Sequence, residues 1–215
     1  MKFNLLALSF VLTLAAAAPA GANMIAISNV PGSGSYDKPK LLSTTNWEAV
    51  GLTTDASSQN FSGLVGVFAG GTTGGTLEGG IYSDSGFNKP STLLSAFNNV
   101  PVTPFVTAQV LVTTSSLFQF QPSTKYWFVL HDFTPFAWMA DNSISGTTPG
   151  VTPGYSYNGF ADSSNAGGSW ATDNINYTVQ ISTSAVVAPE PSTLALMAAG
   201  ALGMAWVARR RKATK

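Results

Sequence analysis

The 215-residue sequence predicts an all-β fold, an antiparallel β-sandwich or jelly roll, flanked by an N-terminal signal peptide and a single C-terminal transmembrane helix. Three observations carry that prediction. Short segments between residues 23 and 185 alternate apolar and polar side chains with a period of two, as half-buried strands do. Glycine, proline, asparagine and serine punctuate those segments, and the body lacks a sustained helical stripe. The two long apolar runs lie at the ends of the chain, where they read as signals and not as core.

Residues 1–22 have the composition of a secretory signal peptide: Lys2 supplies a charged start, residues 3–18 an apolar stretch, and "APA" or "AGA" before Asn23 a small-residue cleavage site. The exported domain is then expected over residues 23–185.

Within that domain the strand candidates are "MIAIS" from Met24, "WEAVGL" from Trp47, "SGLVGVFA" from Ser62, "GGIYSD" from Gly79 and "VTAQVLVTT" from Val106. "KYWFVLHDF" from Lys125 is apolar on both faces over residues 126–130, which predicts a strand central to the fold. In "INYTVQIS", Ile175, Tyr177, Val179 and Ile181 fall on one face and Asn176, Thr178, Gln180 and Ser182 on the other. Gly70, Gly71, Gly74 and Gly75 mark a turn, and "GTTPGVTPG" from Gly146 marks a loop. "KPSTLLSAF" from Lys89 is the best short helical candidate, or else a turn leading into a strand.

Charge distribution limits the partners. Only Lys38, Lys40, Lys89 and Lys125 lie in the body, against nine acids from Asp37 to Asp173, a formal −5. Phosphate binding needs a basic face, so nucleic acid is excluded as a partner. The sequence holds no cysteine, which removes thiol catalysis and disulfide staples.

Candidate chemistry is sparse. His131, the only histidine, directly precedes Asp132 and could be imagined in a Ser-His-Asp set, but its place at the end of an apolar strand favours a structural role. Glu48 and Glu78, in strand-like surroundings, are the best pair of acids for glycoside hydrolysis. "SDSGFN" from Ser83 and "ADSSNAGG" from Ala161 offer oxygen donors, without the spaced acids of a calcium loop, and loop solvation is the favoured role. Trp138 and Trp170, with Tyr155, Tyr157 and Phe160 nearby, are candidates for stacking on sugar rings; packing under a long loop accounts for the same residues without a ligand and is favoured. The favoured reading assigns no catalytic residue, no metal and no cofactor.

The last segment, residues 187–215, opens on a rigid Pro189, Glu190 and Pro191. The apolar run over residues 194–208 would span roughly 22 Å as a helix, and about 26 Å with Ser192 and Thr193, against a hydrocarbon core of about 30 Å. The expected transmembrane helix is therefore residues 192–208, a marginal span. Arg209, Arg210, Arg211 and Lys212 form a stop-transfer cluster in the basic tail 209–215, which faces the cytoplasm and leaves the body outside.

Pro-Glu-Pro followed by Ser192 and Thr193, then an apolar helix, then a basic cluster resembles the PEP-CTERM sorting domain. That resemblance implies recognition by an exosortase, a membrane-embedded cysteine protease and transpeptidase of Gram-negative bacteria, which removes the tail during export. Many members carry valine before the first proline, where this chain has Ala188. The body in turn resembles the choice-of-anchor R domain, through Tyr82, Ser83 and Asp84, then Pro90, Leu93 and Leu94, then Thr124, Tyr126 and Trp127. It implies a β-fold and says nothing about activity. With so little candidate chemistry, the expectation is a non-enzymatic exported protein, held transiently at the inner membrane and then placed at the cell surface or outside; the sorting resemblance adds an association with exopolysaccharide or biofilm. The alternatives are a carbohydrate-binding module and, behind it, a glycoside hydrolase.

Overall fold

The computed structural model describes residues 23–30, 36–72, 74–132, 134–141 and 148–186. The expected signal peptide, Pro-Glu-Pro motif, transmembrane helix and basic tail lie outside the described residues. Among the described residues there is no helix long and apolar enough to cross a membrane.

The body is built from strands: β1 (Asn23–Ser28), β2 (Tyr36–Leu42), β3 (Trp47–Thr53), β4 (Gln59–Ala69), β5 (Gly75–Asp84), β6 (Pro90–Ala96), β7 (Val100–Val102) and β8 (Thr107–Val112). They continue as β9 (Gln119–Phe120), β10 (Lys125–Asp132), β11 (Phe136–Asp141), β12 (Gly150–Val151), β13 (Ser156–Ser163), β14 (Ala171–Asp173) and β15 (Val179–Ala185). One sheet runs β12-β1-β15-β4-β11-β2, with β8 and β9 also pairing with β4. The other runs β14-β13-β3-β10-β5-β6, with β7 also on β5. Every strand pair is antiparallel.

β10 is central, as its apolar run predicts, paired with β3 on one side and β5 on the other. Both its faces are apolar for a reason. Phe128 and Leu130 enter the core between the sheets, while Trp127 and Val129 face outward beneath a smaller apolar layer formed with Ala49, Ala161, Trp47, Tyr82 and Trp170. A strand buried on both sides cannot alternate with polar residues.

The core between the sheets is largely aromatic. Phe61 packs against Phe97, Phe120 and Phe128, and a second group joins Trp138 to Phe68, Phe160 and Tyr177 at centroid distances of 5.4 to 5.8 Å. Full burial of such rings supplies most of the drive to bring the sheets together, at about 1.5–3 kcal/mol each. One close approach depends on glycine: Gly79 has φ of 142°, and a Cβ there would lie 1.9 Å from the Val129 carbonyl oxygen on β10.

Several elements differ from the sequence expectation. "KPSTLLSAF" contributes no helix; residues 90–96 form β6, an edge strand whose Leu93 and Leu94 stay exposed because no further strand covers them. In "INYTVQIS" the strand begins at Val179, and Tyr177 makes only an isolated bridge to Ala140. Tyr177, Val179 and Ile181 are buried as the alternation requires. Thr178 is buried as well, because its hydroxyl donates to the Met139 carbonyl at 2.9 Å and accepts from the Val67 amide at 3.0 Å. The loop expected from Gly146 is flanked by two strands that the sequence did not single out, β11 and β13.

Candidate functional site

Four charged side chains of the body converge where β2, the last strand of one sheet, comes up against β14 and β13 at the end of the other. Register decides which side chains meet there. Lys40 lies opposite the core residue Trp138, Glu48 opposite the core residue Leu130, Asp162 opposite Glu48, and Asp173 opposite the core residue Phe160. Directly opposed residues share a face, so all four side chains are directed between the sheets.

Lys40 Nζ stands 3.4 Å from Glu48 Oε2, 3.3 Å from Asp162 Oδ2 and 3.3 Å from Asp173 Oδ2. The Glu48 side chain is wholly buried and neither carboxylate oxygen accepts a hydrogen bond. Asp173 is held on both oxygens: the Ile175 amide donates to Oδ1 at 2.9 Å, and the Tyr177 hydroxyl donates to Oδ2 at 3.2 Å. The Tyr157 hydroxyl donates to Asn176 Oδ1.

Electrostatics follow from burial and from the imbalance of three carboxylates against one ammonium. Desolvation pushes the Glu48 carboxyl well above its ordinary range, and Lys40 offsets only part of it. Burial alone would lower Lys40, but Glu48, Asp173 and Asp162 together raise it. Tyr157 and Tyr177 are pushed upward, first by burial and then by the neighbouring carboxylates, so both phenols keep their protons. Such a site can hold and relay protons inside the sandwich. Among the described residues no group of three or more His, Asp or Glu side chains is arranged to hold a metal ion, and here the Lys40 ammonium occupies the point of convergence.

The other candidate residues are placed separately. Trp138 is fully buried in the core, its indole N–H donating to the Thr178 carbonyl at 2.7 Å, so it has no ring face to offer a sugar. Trp170 lies instead on the outer face of the second sheet, partly buried with Trp47 and Tyr82 over Trp127. Its backbone carbonyl accepts from Lys89 Nζ, which ties the loop down. Tyr155 and Phe160 are buried, and Tyr157 is partly buried against the core.

Glu48 and Glu78 do not come together. Glu48 shares the inward face with Leu130, whereas Glu78 pairs with His131 on the opposite face and accepts a hydrogen bond from Asn99 at 3.0 Å. Two carboxyls on opposite faces of one sheet cannot flank a single glycosidic bond. His131 stacks on the Trp47 indole, with ring centroids 4.2 Å apart and planes 17° apart, and burial lowers its pKa. Its neighbour Asp132 is buried on the other face, accepting from the Thr76 amide at 3.0 Å. The loop donors are engaged locally: Asp84 accepts from the Gly86 amide and the Trp127 indole at 2.8 Å each, and Asn165 Oδ1 accepts from the Ser169 amide at 2.8 Å.

The Lys40 cluster was not legible as a site in the sequence, although one signal for it exists. Glu48 sits inside an apolar strand of a body with only four lysines, and a buried carboxylate demands a partner.

A family model described as the PEP-CTERM protein-sorting motif matches residues 187–212. That span contains Pro189, Glu190 and Pro191 and the cluster Arg209, Arg210, Arg211 and Lys212. No curated protein matches the chain.

Proposed function

We propose that this chain is an exported protein whose C-terminal motif is read and cut by an exosortase at the inner membrane, which leaves the β-sandwich at the cell surface or outside a Gram-negative cell. The observation that carries this reading is the sorting-motif match over residues 187–212. It is supported by the order of features in the tail: a rigid Pro-Glu-Pro, an apolar run long enough for a marginal span, and cations that stay on the cytoplasmic side. The body's few charges, with serine, threonine, asparagine and glycine carrying solubility, suit a domain delivered unfolded across a membrane.

In this reading the body is a structural, non-enzymatic domain, and its association is with exopolysaccharide or biofilm matrix. Three of the residues that carry its resemblance to the choice-of-anchor R domain do structural work, which supports this reading: Asp84 accepts from the Trp127 indole, and the Gln121 amide donates to the Tyr126 hydroxyl at 2.9 Å. Replacing Pro189, Glu190 and Pro191 together by alanine tests the sorting reading. The variant is expected to accumulate in the membrane fraction while the parent chain leaves it; equal release of both would contradict the proposal.

A carbohydrate-binding role is the second reading. The observation favouring it is the partly exposed aromatic layer of Trp47, Tyr82 and Trp170 on the outer face of one sheet. Binding on a glycan array that is lost in Trp170→Ala would support it, and absence of binding in the parent protein would end it.

A further inference from the structure

The cluster around Lys40 holds the parts of an intramolecular condensation. A primary amine lies 3.3 Å from an oxygen of the Asp173 carboxyl, which is only 12% exposed. Glu48, wholly enclosed and without a hydrogen bond on either oxygen, stands 3.4 Å from the same amine nitrogen. The Ile175 amide is aimed at Asp173 Oδ1, where negative charge would develop, and the Tyr177 hydroxyl at Oδ2, the oxygen that would leave. Asp162 approaches Lys40 equally closely, but its side chain is 30% exposed, so water competes for its carboxyl.

We propose that Lys40 and Asp173 become joined by an amide between Nζ and Cγ, with Glu48 carrying the proton. In the reactive form Lys40 has passed one proton to the Asp173 carboxylate, giving a neutral amine beside a carboxylic acid. The Nζ lone pair forms the bond to Cγ while the π pair moves onto Oδ1, which the Ile175 N–H stabilises. Glu48 takes a second proton from Nζ and delivers it to the hydroxyl at Oδ2. The Cγ–Oδ2 bond breaks, water leaves, and the carbonyl at Oδ1 re-forms. One proton stays on the amide nitrogen, and nothing is oxidised or reduced. The step converts a largely buried charged pair into a neutral amide, which removes the cost of keeping two charges away from water.

The bond would fasten strands far apart in the chain, since residues 40 and 173 are 133 positions apart, and would do so in a sequence without cysteine. The inference rests on the body's geometry and not on the sorting reading, so either can fail alone.

Peptide mapping by mass spectrometry of the full chain tests it. The expected result is a tryptic pair joined through Lys40 and Asp173, lighter than the sum of its parts by one water molecule, with no cleavage after Lys40. Glu48→Gln keeps the side-chain shape and is expected to fold, as read by circular dichroism, yet to leave the two residues unlinked. Should Glu48→Gln fail to fold, Lys40→Arg provides the unlinked control. Loss of water confined to a single peptide near Asp173 would be local cyclisation of the backbone and would overturn the proposal. So would an unlinked Lys40 in the parent protein, or a linked pair in Glu48→Gln.

Discussion

Lys40 Nζ and Glu48 Oε2 stand 3.4 Å apart on strands of opposite sheets, and the Glu48 carboxylate has no exposure to solvent. With Lys40 and Asp173 unlinked, removing the cation leaves three carboxylates facing one another with one of them fully desolvated. Truncating one partner of such a pair typically costs about 3–5 kcal/mol, with the lower end expected here because Lys40 is 25% exposed. Lys40→Met should therefore have a lower urea midpoint than the likewise unlinked Lys40→Arg, with the same slope, and adding Glu48→Gln should recover part of the loss, as a double-mutant comparison would read.

Glu48 also sets a pH dependence. Its folded pKa is raised, burial being the main cause, above the ordinary value of 4.5. The stability linked to it is fully present below that unfolded value and is lost as pH rises through the folded pKa. Urea unfolding at a series of pH values should show the parent protein losing stability from about 4.5 upward, and Glu48→Gln should remove that slope.

His131 acts with the opposite sign. Burial against Trp47 lowers its pKa below the ordinary 6.5, so its contribution is complete above that value and is lost as pH falls through the folded pKa. His131→Phe keeps a ring on the Trp47 face without a titrating group, and the same pH series should show the acid-side decline weakened while the Glu48 slope persists.

The two tryptophans expected to stack on sugars should separate cleanly. Trp138→Ala empties a site in the middle of the aromatic core and should cost about 3–5 kcal/mol, with a lower melting temperature. Trp170→Ala removes a partly exposed ring from the outer layer and should cost less than half as much. Comparable losses in both would show that the outer layer is as much a core as the inner one.

The strands that could be read from sequence were those whose faces differ in polarity or whose run is wholly apolar. β1, β3 and β10 fall where the pattern places them, and β4 and β5 extend the expected segments at their starts. β2 was invisible because Lys38, Pro39 and Lys40 interrupt any apolar signal, and proline is tolerated there because β2 ends its sheet. β6 looked helical because Leu93 and Leu94 adjoin, a spacing that an uncovered edge strand permits as well. The polar cluster was hidden for a different reason. Lys40, Glu48, Asp162 and Asp173 come from four strands, and only the pairing of β2 with β11 and of β13 with β3 and β14 brings them to one point. By contrast, the sorting motif is contiguous, so its order of residues suffices to recognise it.

The most direct measurement is the mass of the C-terminal peptide of the protein recovered outside the cell. Processing at the motif predicts that the released protein lacks Arg209, Arg210, Arg211 and Lys212, while the precursor in the membrane fraction retains them. Released protein that still ends at Lys215 would contradict the account.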